Sequence, residues 1–219
     1  MDFGDEVGLV SYGSYAVWET EHYDEEVSLN ISSDPITSNY AVIDAIQRRH
    51  QAGHYDVYTG MGDGMLKARE MLVGDANNPH DLGHVRYGAR PTVILMTDGQ
   101  ANKYPSGWSL PSNFNWDEWT DYDGDGRADY TTKDNSKRYA FYQATEAIKR
   151  GVTIHTMAVG ATADREIMRA IAFAGGGVFI NVPGGATIAE MEDQMIEAFS
   201  QIAAKVPPAK LVFDVGGED

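Results

Sequence analysis

The chain has 219 residues, 42% of them hydrophobic, enough for one ordinary core and one domain. Seventeen basic against thirty-three acidic residues give a formal charge of −16, which argues against nucleic-acid binding because no basic stripe can neutralise phosphates. Cysteine is absent, which excludes disulfides and thiolate zinc sites, and no apolar run is long enough to span a membrane.

In chain order, Val7 to Tyr12 (VGLVSY) reads as a short buried strand, and Glu25 to Ile31 (EEVSLNI) alternates like a half-exposed edge strand. After Ser33-Asp34-Pro35 a helix is expected to carry Tyr40, Ile43 and Ile46 inward. A second helix follows Thr59, with Met61, Met65, Ala68 and Leu72 at helical spacing. The run Arg90–Gly99 (RPTVILMTDG) then reads as a strand covered on both faces, because its apolar residues are continuous rather than alternating. It stops at Thr97-Asp98-Gly99. Ligands of open α/β sheets bind just beyond such strand ends, so Asp98 is a candidate ligand group; a simple Asx turn is the plainer alternative.

Residues 136–150 form the next expected helix, closed by Gly151. Val152 to Val159 is a strand, Asp164 to Ala174 a helix, and Val178 to Val182 a strand. The last helix opens with a capping box, Thr187-Ile188-Ala189-Glu190, and repeats apolar residues at Ile188, Met191, Met195, Phe199 and Ile202. Pro207-Pro208 end it, and Leu211 to Val215 is strand-like. Strands alternating with helices imply an α/β three-layer sandwich with a mostly parallel central sheet.

The segment 101–133 interrupts this alternation directly after Asp98. It contains Asp121-Tyr-Asp123-Gly-Asp125-Gly126-Arg127-Ala-Asp129, which reads D-x-D-x-D-G-x-x-D. That is the pattern of a calcium loop: carboxylates at positions 1, 3 and 5, glycine at 6, a carbonyl at 7 (Arg127) and Asp at 9. Position 12 is Thr132 rather than the bidentate Glu of an EF-hand, and another carboxylate, with Asp134 and Asp117 as candidates, could complete the shell. A flexible acidic turn is the alternative. The same insertion is aromatic, and Trp108, Trp116 and Trp119 are candidates for a ligand-binding rim. Alternatively, these rings build the loop's own small core.

The pairs His50/His54 and His80/His84 have i,i+4 spacing but are not His-Glu-x-x-His, so surface histidines are favoured over a hydrolytic zinc site. His155 sits in a buried-type strand and is expected to be a satisfied core residue. Gly60-Met61-Gly62-Asp63-Gly64 is glycine-rich but lacks the lysine of a phosphate loop.

Three segments in order resemble the von Willebrand factor type A domain: VGLVSYGSYA (7–16), YTGMGDGMLKAREML (58–72) with TVILMTDG (92–99), and GVTIHTMAVG (151–160). The closing stretch 175–203 resembles bacterial members associated with tight-adherence pilus assembly. The resemblance implies a Rossmann-like sandwich over residues 1–206, with 207–219 a tail or an added strand. It implies a cation-dependent, non-enzymatic protein-binding module, at the cell surface or outside the cytoplasm. Thr59 and Asp98 would contribute to an adhesion site for Mg²⁺ or Mn²⁺ that captures an acidic residue of a protein ligand, while the 121–129 loop holds Ca²⁺.

An intracellular subunit docking on an ATP-driven machine is the alternative the same family allows. The family's Asp-x-Ser-x-Ser motif and the strand before it are not in this sequence. Two explanations are open. The chain is part of a longer protein, or Lys210–Asp219 (KLVFDVGGED), or a strand from another chain, fills the slot.

Overall fold

A computed structural model describes residues 5–19, 35–48, 55, 57–75, 78, 80–185 and 187–205. Its elements are β1 (Val10–Tyr12), β2 (Ala16–Trp18), α1 (Tyr40–Gln47), α2 (Met61–Val73), β3 (Thr92–Thr97) and α3 (Asp117–Thr120). There follow α4 (Asn135–Ile148), β4 (Thr153–Val159), α5 (Arg165–Ala174), β5 (Gly176–Val182) and α6 (Ile188–Ala203).

β3, β4 and β5 form a parallel sheet in that order, with Thr92 abreast of Thr153 and Met157 abreast of Ile180. Helices cover both faces. On one face Met65 of α2, Phe141 of α4 and Ile167 and Ile171 of α5 bury Leu95 and Ile154. On the other, Ala198 and Ile202 of α6 pack on Met157, Ile180 and Val182. The glycine run at the start of α2 has a packing role rather than a phosphate-binding one. A Cβ on Gly62 would lie 2.2 Å from the Tyr139 ring of α4, and one on Gly64 would lie 2.7 Å from the Tyr12 ring. Only glycine lets both rings approach the helix so closely.

The elements expected between Thr59 and Ala203 are present, with boundaries within two residues. Thr187 caps α6, and the reciprocal Glu190 bond is formed, 3.1 Å from the Thr187 N–H. His155 is buried and satisfied, its Nδ1 accepting from the Val178 N–H at 3.0 Å.

Four expectations need correction. The strand expected over Val7–Tyr12 is only Val10–Tyr12, half-buried in an antiparallel hairpin with β2. The Gly13-Ser14-Tyr15 turn reverses the chain there, so its backbone bonds are made locally instead of within a central sheet. β3 is not covered on both faces, since Ile94 is 40% exposed and burial alternates along the strand. Tyr40 of α1 points outward at 52% exposure, leaving Ile43 and Ile46 as that helix's buried residues. Met191 and Phe199 of α6 are exposed, because Ala198 and Ile202 form the contact line instead. The strand expected over Glu25–Ile31 and the segment 207–219 lie outside the described residues.

Candidate metal centres

Three loops meet at the carboxyl end of β3. Thr97 is buried, and its hydroxyl closes the turn by accepting from the Gly99 N–H at 3.3 Å. The Thr162 hydroxyl donates to the Asp98 carbonyl at 2.6 Å, and the Asp164 N–H donates to the Gly99 carbonyl at 3.2 Å, tying in the loop after β4. Thr59 and Asn102 are strapped reciprocally: the Thr59 N–H donates to Asn102 Oδ1 at 2.6 Å, and the Asn102 N–H to the Thr59 carbonyl at 3.2 Å. The Thr59 hydroxyl consequently stands against the Asp98–Gly99 turn, where a Cβ on Gly99 would come within 3.3 Å of it. Asp98 itself is exposed.

A fourth segment joins them, since the Gly60 N–H donates to the Gly13 carbonyl at 2.8 Å and the Ser14 N–H to the Tyr55 carbonyl at 2.7 Å. Ser14 is only 8% exposed, and its hydroxyl finds no hydrogen-bond partner among the described residues. Asn102, Thr162 and Ser14 are the residues sequence reasoning missed at this edge. Nothing in their local patterns marks them, because their roles arise only when distant loops meet.

Asp164, next to this edge, is engaged elsewhere. Its carboxylate caps α5 and pairs with Lys137 Nζ at 2.6 Å. Hydroxyl and carboxylate oxygens are the donors a hard divalent cation takes. Thr59 and Asp98 fit such an ion as part of a ligand set but are too few to complete it.

The acidic loop of the insertion is built around Asp121. Its Oδ1 accepts from the N–H groups of Gly124 (2.7 Å) and Asp125 (3.1 Å), and its Oδ2 accepts from Gly126 at 2.8 Å. Gly124 and Gly126 both have positive φ, the left-handed conformation this tight winding requires. Carboxylate oxygens of Asp121, Asp123 and Asp129 lie within 4.8 Å of one another. Asp125 is not in that group; its Oδ1 accepts from the N–H of Arg127, whose side chain is exposed. Of the two residues expected to complete the shell, Asp117 is beside the loop and accepts from the Ala128 N–H at 2.8 Å. Asp134 instead caps α4, accepting from Ser136 at 2.8 Å.

The insertion does not stay at the ligand edge of the sheet. It runs over the outer side of α4 and α5, where Trp116 stacks on Phe141 at 4.8 Å between ring centroids and Trp108 meets Tyr139 edge-on at 5.0 Å. Trp119 lies under Lys149, just beyond α4, at 5.9 Å. Tyr122 contacts Phe173 at 4.6 Å. Phe173 is near the end of α5, which descends from the carboxyl to the amino end of the sheet. Each of the three tryptophans thus contacts a residue of α4 or the lysine just beyond it.

His80 and His84 do not share a helix face, since residues 80–84 are turn and irregular. His84 meets Trp18 edge-on at 5.7 Å. His50 and His54 lie outside the described residues.

No protein-family model matches the sequence, and no characterised protein matches it at the sequence level. Solved structures do match. The conserved hypothetical protein BatB from Bacteroides thetaiotaomicron superposes with a TM-score of 0.51 at 15% identity, over 92% of this chain and 78% of that one. Proximal thread matrix protein 1 from the mussel byssus, solved with a zinc-occupied MIDAS motif, gives 0.50 at 13% identity. There the match covers 93% of this chain and 37% of the mussel protein. The fold is a von Willebrand factor type A-like sandwich. At these identities the comparison speaks to the fold alone.

Proposed function

We propose that this domain is a cation-dependent protein-binding module acting at the cell surface or outside the cytoplasm. The observation that carries the reading is the meeting of the Thr59 hydroxyl with the Asp98–Gly99 turn at the carboxyl edge of β3. Thr59 and Asp98 would hold Mg²⁺ or Mn²⁺, directly or through water. With a single carboxylate in the set, the ion keeps net positive charge and an open position, which suits an acidic side chain of a protein ligand.

The zinc-occupied motif in the mussel matrix protein supports such a site in this fold. The likeness of residues 175–203 to tight-adherence pilus proteins points to pilus or surface proteins as ligands. The Asp121–Asp129 loop would hold Ca²⁺ in a structural role, with Asp121, Asp123 and Asp129 as its carboxylates. Among the described residues no helix is long and apolar enough to cross a membrane.

The test is calorimetry with Mg²⁺, Mn²⁺ and Ca²⁺ on the wild type, Asp98→Ala and Asp123→Ala. The expected result is that Asp98→Ala loses Mg²⁺ or Mn²⁺ binding but keeps Ca²⁺, and Asp123→Ala does the reverse. Mg²⁺ binding unaltered by Asp98→Ala would sink the edge-site assignment.

A further inference from the structure

Asn102 commits only one end of its amide to the protein. The Thr59 N–H donates to Asn102 Oδ1 at 2.6 Å, and the Asn102 N–H returns a bond to the Thr59 carbonyl at 3.2 Å. A backbone N–H cannot donate to an NH₂ group, so this short contact fixes which end of the side-chain amide is oxygen. Nδ2, with two protons to give, then lies on the other side of Cγ. Asn102 is exposed, and among the described residues its Nδ2 donates to no protein group.

The strap leaves Thr59 little freedom. On one side Asn102 holds its N–H; on the other the Gly60 N–H is tied to the Gly13 carbonyl at 2.8 Å. A Cβ on Gly60 would lie 2.6 Å from that same oxygen, so the close approach depends on glycine. Asn102 is itself anchored, because the preceding Ala101 is 2% exposed and belongs to the core under β3. Between these two ties the Thr59 hydroxyl stays against the Asp98–Gly99 turn.

Charge explains why an amide suits this position. Asp164, the other carboxylate near the turn, is already paired with Lys137 at 2.6 Å. A ligand carboxylate that gives one oxygen to a cation held by Thr59 and Asp98 has a second oxygen to satisfy. A neutral N–H donor does that without adding negative charge to the ligand set. An aspartate in its place would offer no donor and would cancel the ion's remaining positive charge.

We propose that Asn102 serves both halves of this site: Oδ1 positions Thr59 for the cation, and Nδ2 donates to the carboxylate of the protein ligand. The inference rests on the reading of Thr59 and Asp98 as cation ligands and adds the group that recognises what the cation binds.

Two measurements test it, both on the full chain carrying Asp123→Ala so that the acidic loop contributes no ion. The first is Mg²⁺ calorimetry. Asn102→Ala should weaken Mg²⁺ binding by about 10–100-fold, the usual effect of losing a group that orients a ligand. Asn102→Asp, which keeps the acceptor for the Thr59 N–H, should bind Mg²⁺ at least as tightly as the parent. The second uses ¹⁵N-labelled protein and sodium acetate as the carboxylate probe. The Asn102 side-chain NH₂ signal, assigned by its loss in Asn102→Asp, should move downfield on adding acetate with Mg²⁺ present and stay put without Mg²⁺.

Unchanged Mg²⁺ affinity in Asn102→Ala would overturn the positioning role. An NH₂ signal that stays still while acetate shifts the Asp98 and Gly99 backbone amides would overturn the recognition role. A parent protein that binds no Mg²⁺ at all would overturn the cation reading and this inference together, an outcome distinct from either of the others.

Discussion

The Tyr12 hydroxyl donates a hydrogen bond to the main-chain carbonyl of Met96, joining the β1–β2 hairpin to the strand that ends at Asp98. It is a cross-link between two sheets that share no backbone bond. Removing the hydroxyl leaves an edge carbonyl without this donor while the ring still packs against Gly64. Tyr12→Phe is expected to cost about 1 kcal/mol. Urea unfolding should show a lower midpoint at an unchanged slope, and an unchanged midpoint would mean that the bond contributes nothing net.

The tyrosines make the fold sensitive to alkali. Burial pushes the Tyr12 hydroxyl from 10.0 up to about 12, and burial also pushes Tyr122 up to about 12. Tyr130 and Tyr139 are raised too, first by burial and then by nearby carboxylates, Asp164 for one and Asp63 for the other. Each group keeps its proton longer when folded than when unfolded. Their contribution is fully present below pH 10 and is lost as pH climbs toward 12, because the unfolded chain ionises first. Stability measured by urea should fall across that window, and tyrosinate absorbance should show a late-titrating class. A single transition near pH 10 in the native protein would contradict the burial argument.

At the acid end the sign reverses. His155 is buried in β4, its Nδ1 accepts from Val178, and burial holds its pKa below 6.5. The native state therefore favours neutral imidazole. Stability from this group is present above pH 6.5 and declines as pH falls, because the unfolded chain takes up the proton first. His155→Asn, which cannot titrate, should flatten the pH dependence of the urea midpoint between pH 7 and 5 relative to the wild type.

Phe141 is fully buried in α4 and is where the insertion meets the domain, with Trp116 stacked on it and Phe114 edge-on at 6.1 Å. Phe141→Ala should cost about 3–5 kcal/mol, in the range of large aromatic truncations. If the tryptophans serve packing, Trp116→Ala should lower the melting temperature too. Normal stability in Trp116→Ala together with lost ligand binding would instead restore the recognition alternative.

The parallel sheet and its helices were legible because residues 59–203 obey simple periods, from the apolar run of β3 to the capping box at Thr187. Asp98 was legible because a strand ended on it, and the acidic loop because carboxylate spacing is itself the ligand pattern. What could not be read was contact between distant loops. Asn102 strapped to Thr59 and Thr162 to Asp98 are pairings without local signature. Ile94 looked buried because an apolar run does not show that one face of its strand is left partly uncovered. The course of the insertion was equally hidden, since aromatic residues suit a binding rim and a packed interface alike; only the position of Phe141 decides that they turn toward α4.

The acidic loop separates ligands from structural carboxylates. Asp121, Asp123 and Asp129 crowd their oxygens within 4.8 Å, which costs repulsion unless a cation neutralises them. Calcium added at about a hundredfold over its dissociation constant should stabilise the protein by about 2.7 kcal/mol, and chelation should remove that gain. Asp123→Asn should abolish the calcium-dependent rise in melting temperature while barely changing the metal-free value, because Asp123 makes a single weak backbone contact, 3.2 Å to the Asp125 N–H. Asp134→Ala should do the opposite. It removes the cap of α4 at a cost of about 1 kcal/mol with or without calcium, leaving the calcium increment intact. If both variants shift the melting temperature equally in calcium and in chelator, the loop is an acidic turn whose order does not depend on an ion.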